Sequence, residues 1–353
     1  MTTQLASSGK LPAATEPDSA AKVAFLSSPE AYPERPARIE VVETHFAWVF
    51  LAGTRAYKLK KASHLRGADW RTPQARELAC RDELRLNRQI SAPTYLGVEP
   101  LIQTPDGFRI GGEGRAVDWL VVMRRLDERR MLDAVLAAGS LARADLDAVI
   151  EFLVAFYRSR NPLPFASDTY LRRVTARLQE ALAALRRTEP EVLPADRLEQ
   201  LGRELAAAFE SLRPQLAERA RAHRIIEAHG DLRAEHVWLG PPVQIIDSLE
   251  VYADLRMLDT AEEIAMLALE CQRAPWAPAY LRDGYRLLAA DTLSDQLFAF
   301  YMALRATTQA KLAIWHLDDP EQFPDPTPWR ARTLAAVDIA IRHCRTALGG
   351  VRT

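Results

Sequence analysis

The chain has 353 residues, 48% of them apolar, and 46 Lys and Arg balance 47 Asp and Glu to a formal net charge of -1. That length buries a sizeable core and predicts two domains or lobes. Near-neutral charge leaves no electrostatic footprint for nucleic acid or an anionic membrane, and no apolar run reaches the roughly 18 residues of a membrane span. The three cysteines, Cys80, Cys271 and Cys344, are far apart and form no C-x-x-C pair, which argues against a disulfide framework or structural zinc and for a reducing cytoplasm. Residues 1–25 lack the basic start and apolar stretch of a signal peptide and are expected to form a disordered tail.

Two β-rich runs follow, Arg38 to Glu43 and Ala47 to Leu51, then a turn at Ala52-Gly53-Thr54-Arg55 and a third strand, Ala56-Tyr57-Lys58-Leu59-Lys60. A charged helix is predicted from Pro73 to Ile90, and further strands over Tyr95–Ile102 and Asp118–Met123, the first followed by a Pro105-Asp106-Gly107 turn. From Asp127 the composition turns to Ala, Leu and Arg with helical periodicity. Helices are predicted at 130–138, 143–160, 168–187, 195–222, 258–272, 277–289, 293–315 and 328–348. An apolar strand-like island, Val237–Asp247, interrupts them. The expected fold class is α+β, with a β-rich lobe over 26–124 and a helical lobe over 125–353.

The sharpest local feature is His229-Gly230-Asp231-Leu232-Arg233-Ala234-Glu235-His236, followed by an apolar strand, a Gly-Pro-Pro turn and a second strand ending in Asp247. Two carboxylates set by one hairpin suit in-line phosphoryl transfer: one orients the attacking hydroxyl, the other holds a metal ion. Local capping of turns by Asp231 and Asp247, with His229 simply packed, is the plainer alternative.

His229-Gly230-Asp231-Leu232 resembles the catalytic loop of the aminoglycoside phosphotransferase family, which has a protein-kinase-like two-lobed fold. The resemblance covers about residues 38–345 and suggests an uncharacterised branch. It implies that Asp231, with His229 beside it, is catalytic and that Asp247 is a metal ligand. Ala56-Tyr57-Lys58 matches the A-x-K part of the kinase strand motif: Ala56 leaves room for adenine, Lys58 holds the α/β-phosphates, and Lys60 on the same face is the second choice. Glu83 on the following helix, with Glu77 as the second choice, would hold that lysine. Val122 and Met123 fall where backbone groups meet the adenine edge. Asp259 falls in a segment resembling the family's D-L-A, whose Asp buttresses the catalytic loop; as an ordinary helix cap it reads equally well.

The resemblance implies ATP with Mg²⁺, or Mn²⁺, and a small hydroxylated acceptor. Asp254, Glu262, Glu263 and Glu270 are acids that would favour a cationic or polyhydroxylated one. Three departures stand out. His236 occupies the place of a metal-binding Asn, Ser248-Leu249-Glu250 replaces Phe-Gly after Asp247, and the β1–β2 connection Glu43-Thr44-His45-Phe46 has no glycine. Glu250 could supplement a metal site. A catalytically inactive nucleotide-binding regulator is therefore the second expectation. A hydrolase built on His229, Asp231, His236 and Asp247 is a distant third, because the histidines lack the i, i+4 helix spacing of zinc hydrolases. No G-x-x-x-x-G-K-[ST] loop occurs.

Overall fold

The structure, a computed structural model, describes residues 18–65, 68–189, 191–318 and 323–349. It divides into two compact units, Met1–Arg125 and Leu126–Thr353.

The first unit opens with helix α1 (Ser19–Leu26), capped by Asp18. This corrects the expectation of a disordered tail for residues 19–25; residues 1–17 lie outside the described residues. Composition missed the helix because tertiary contacts hold it. Leu26 is buried in the core, and buried Lys22 donates to Asp118 Oδ2 at 2.8 Å and to the Val117 carbonyl at 3.1 Å. Asp118 also receives both arms of Arg76, at 2.8 and 2.9 Å.

Eight strands follow: β1 (Ile39–Glu43), β2 (Ala47–Ala52), β3 (Arg55–Lys60), the short ladder of β4 (His64–Leu65) and β5 (Ala68–Asp69), then β6 (Tyr95–Thr104), β7 (Gly107–Ile110) and β8 (Ala116–Arg124). Six of them make an antiparallel sheet in the order β1-β2-β3-β8-β6-β7. Helix α2 (Pro73–Ser91), capped by Thr72 with Pro73 in its first turn, packs on β6 and β8. The period-two rule decides what β3 offers each side. Tyr57 and Leu59 enter the core with Leu26, Tyr32, Phe50 and Leu120, while Lys58 and Lys60 share the opposite face with Ala56 and reach α2.

The second unit is mainly helical: α3 (Leu132–Ala137), α4 (Arg143–Ser159), α5 (Ser167–Leu185) and α6 (Ala195–Arg221) precede strand β9 (Ile225–Glu227). The predicted apolar island is a minimal hairpin, β10 (Val237–Trp238) with β11 (Gln244–Ile245). Then come α7 (Ala253–Arg256), β12 (Met257–Asp259), α8 (Thr260–Glu270), α9 (Ala277–Ala289), α10 (Asp295–Leu317) and α11 (Thr327–Ala347). Strands β9 and β12 pair antiparallel, Ile225 opposite Asp259 and Glu227 opposite Met257. The ladder closes the base of everything from Ala228 to Arg256. Every residue of α8 from Thr260 to Leu269 is buried, so this helix is the inner post on which the loops above it rest.

Candidate active site

In the first unit, Glu83 sits wholly buried on α2 and takes both lysines of β3. Lys58 Nζ lies 3.0 Å from its Oε1 and Lys60 Nζ 2.5 Å from its Oε2. The lysines are not equivalent. Lys60 is 2% exposed and lies over the Trp70 ring at 4.8 Å, whereas Lys58 is 12% exposed. Glu77 is engaged elsewhere, with Arg81 at 2.8 Å.

Ala56 stands opposite Met123 across the β3–β8 ladder. The expectation that Val122 and Met123 offer backbone groups to an adenine edge needs correction. Val122 is paired with Tyr57 and Gly97, and Met123 with Ala56 and Tyr95, so both backbones lie inside the sheet, and the Val122 side chain joins the core with Tyr57 and Leu59. A central strand spends its N–H and C=O groups on its neighbours, which leaves none for an adenine edge.

In the second unit, backbone bonds lace the 229–236 loop to the segment around Asp247. The Ile246 N–H donates to the His236 carbonyl at 2.9 Å, the Leu249 N–H to the His229 carbonyl at 3.1 Å, and Ser248 Oγ to the same carbonyl at 3.0 Å. His229 is fully buried. Its Nε2 lies 2.8 Å from the Ile246 carbonyl, which can only accept, so Nε2 carries the hydrogen. Its Nδ1 then accepts the Asp231 N–H at 3.3 Å. Burial pushes this imidazole down to about 4, with His236 adding to the effect, so it is neutral near pH 7.

Gly230 is required by its backbone. Its φ is +88°, and a Cβ would meet Arg256 Cγ at 3.0 Å and Leu249 Cβ at 3.3 Å. Asp247 also has positive φ, +61°, in the left-handed region that Asp tolerates better than most residues.

The residue beneath the loop is Glu263, not Asp259. Glu263 Oε1 accepts the Gly230 N–H at 2.8 Å. Burial raises the pKa of Glu263, against the lowering effect of the Gly230 and His229 N–H groups. Asp259 cannot do this work, because its carboxylate caps α8 at the Ala261 N–H (2.9 Å), receives Arg219 at 2.6 and 2.7 Å, and accepts from Tyr301 at 2.7 Å. Sequence reasoning missed Glu263 as a loop support; the one available signal was an acid pair, Glu262-Glu263, inside an apolar helix. It also missed Arg256, which is buried, holds Glu227 at 2.7 Å and donates to the Leu249 carbonyl at 2.7 Å.

Two of the four acids proposed for acceptor binding are used internally. Glu262 pairs with Arg177 and with Arg305 at 2.9 Å, and Glu263 supports the loop. Glu270 accepts from Gln309 at 2.6 Å, and burial raises its pKa. Asp254 is exposed beside Arg173 at 3.4 Å.

Asp231 and Asp247 stay partly open, at 31% and 40% exposure, with the His236 ring between them. His236 Nδ1 is 2.7 Å from the Asp231 carbonyl, and Nε2 is 3.8 Å from Asp247 Oδ2. Among the described residues no three His, Cys, Asp or Glu side chains gather as a protein-only cation cage would require, so Glu250 does not complete one. An ion held mainly by phosphates and water needs just one or two protein ligands, and the His236–Asp247 pair fits that mode.

No family model matches the chain. An uncharacterized protein of Mycobacterium tuberculosis (strain ATCC 25618 / H37Rv) is 34% identical over 283 residues, 78% of this chain and 54% of that protein. The chain therefore spans about half the length of the curated relatives it matches. Among solved structures, a choline/ethanolamine kinase family protein from Mesorhizobium loti has a TM-score of 0.56 at 15% identity, covering 92% of this chain and 99% of that one. Choline kinase LicA from Streptococcus pneumoniae has a TM-score of 0.50 at 14% identity, covering 88% and 94%. Aminoglycoside phosphotransferases also occur among the structural neighbours. The chain has the protein-kinase-like α+β fold shared with small-molecule kinases.

Proposed function

We propose that this chain is an ATP-dependent phosphotransferase acting on a hydroxyl of a small molecule. The observation that carries the reading is the laced loop of the second unit. It fixes the Asp231 backbone through His229 and Gly230 while leaving the Asp231 and Asp247 carboxylates partly open. In this reading Asp231 orients the acceptor hydroxyl and takes its proton, and Asp247 holds Mg²⁺ or Mn²⁺, which neutralises phosphate charge when bound. His229, expected beside Asp231 as catalytic, is a positioning residue, because both its nitrogens are engaged inside the loop. Glu263 supports the loop from below.

In the first unit Lys58, oriented by Glu83, takes the α/β-phosphates. Its greater exposure favours it over Lys60, which Trp70 and Glu83 fix in place. Ala56, with the Met123 side chain opposite it on the same sheet face, lines the adenine position. The fold alone does not name the acceptor. Cytoplasmic location, and a small hydroxylated molecule as substrate with neither nucleic acid nor membrane as partner, belong to the same proposal.

The test is ADP release by the wild type and by Asp231→Asn, with nucleotide affinity measured alongside. Loss of a positioned general base lowers turnover by about 10²–10⁴-fold. The expected result is that loss with unchanged nucleotide binding. Nucleotide binding without turnover in the wild type, against a broad panel of small alcohols, would favour the inactive regulator, the reading to which His236 in place of Asn points.

A further inference from the structure

We infer that His236 is a nitrogen ligand of the divalent ion at the phosphate site and turns that site toward manganese over magnesium; this rests on the phosphotransferase reading above. Hydrogen bonding fixes the ring's tautomer. The Asp231 carbonyl, 2.7 Å from Nδ1, can only accept, so the hydrogen of the neutral ring is on Nδ1 and the lone pair is on Nε2. A metal-binding imidazole is oriented in this way, its other nitrogen donating to a backbone carbonyl.

That lone pair stands 3.8 Å from Asp247 Oδ2. Two donors bonded to one ion at about 2.1 Å lie about 3 Å apart when adjacent and about 4 Å apart when opposite, so one ion can join this pair with little movement. The ring is also held in place, with only 8% of the residue exposed. Glu235 Oε1 is 3.9 Å from the same nitrogen but is bound by Arg233 at 2.8 Å.

Chemistry then sets the preference. Magnesium is bound through oxygen donors. Manganese also takes carboxylate and phosphate oxygens but stands at the start of the first-row series whose affinity for nitrogen-containing sites rises, so an imidazole donor favours it over magnesium. An Asn at this position would offer an oxygen, and the selectivity would fall away.

The test uses full-length protein with Mn²⁺ and a non-hydrolysable ATP analogue, read by electron spin-echo modulation from ligand nitrogen. Parallel titrations compare Mn²⁺ with Mg²⁺. Wild type, His236→Asn and His236→Gln carry the same nucleotide, so adenine nitrogens cancel in the comparison. The expected result is a histidine nitrogen signal in the wild type that is absent from both variants. A manganese preference of tenfold or more, beyond that of the nucleotide alone, should fall toward that baseline in both. Bound manganese–nucleotide with no nitrogen signal dependent on His236 would overturn the inference and leave the phosphotransferase reading intact. A folded wild type that binds no metal–nucleotide would overturn both.

Discussion

Two buried ionic clusters differ in how completely the fold encloses their charges. In the second unit Arg219 is enclosed. Its Nε and Nη2 bind Asp259 at 2.6 and 2.7 Å, its Nη1 and Nη2 bind Asp291, and Tyr301 and Tyr285 donate to the same two acids at 2.7 and 2.6 Å. In the first unit one buried acid, Glu83, serves two lysines, and Lys58 retains an exposed edge. The first arrangement fixes β12 and the start of α8 and faces nothing outside the fold. The second leaves one of its cations partly exposed, as the proposed phosphate ligand would have to be. Burial and pairing look alike in the two clusters; what separates them is where the last charged atom ends.

The strongest way to break this comparison is Asp259→Ala. It leaves the buried Arg219 short of a partner and removes the cap of α8, which should cost about 3–5 kcal/mol in urea denaturation. A loss below about 1 kcal/mol would mean that the cluster does not hold the unit.

The next effect concerns pH. His229 has a folded-state pKa of about 4 against an ordinary 6.5. The unfolded chain therefore binds the proton first as pH falls. The stabilisation from the neutral ring is complete above about pH 6.5 and is lost progressively down to about pH 4, roughly 3 kcal/mol in all. His343 is shifted in the same direction by its burial and adds its own share in the same window. His229→Gln should make the fall in stability between pH 6.5 and 4 shallower, while His343 keeps its part. An unchanged pH profile would show that His229 is not buried neutral in solution.

Much of this was legible in the sequence because the patterns were long. The alternating β3 strand, the capped and charged α2, and the spacing from His229-Gly230-Asp231 to Asp247 each declare themselves without tertiary information. What stayed hidden depends on contacts distant in sequence. Helix α1 needs Asp118 to neutralise Lys22 across 96 residues. The β9–β12 ladder is three residues long, too short for a periodic signal. The backbones of Val122 and Met123 looked available until the register showed strands on both sides of them. Asp259 and Glu263 are one helical turn apart and both fully buried, and only the packing of α8 decides which faces Gly230 and which faces Arg219.

The central proposal is that the chain binds a metal–nucleotide, with Lys58 proposed as a phosphate ligand and Asp247 proposed as a metal ligand. The most direct test is thermal stabilisation of the purified protein by ATP with Mg²⁺, with Mn²⁺ or with neither, for wild type, Lys58→Ala and Asp247→Asn. A ligand at a hundred times its dissociation constant adds about 2.7 kcal/mol to the folded state, enough for a clear shift. The account predicts metal-dependent stabilisation in the wild type and its loss in both variants, each still folded. A well-folded wild type that ATP and metal leave unshifted, or variants that respond as fully as the wild type, would contradict it.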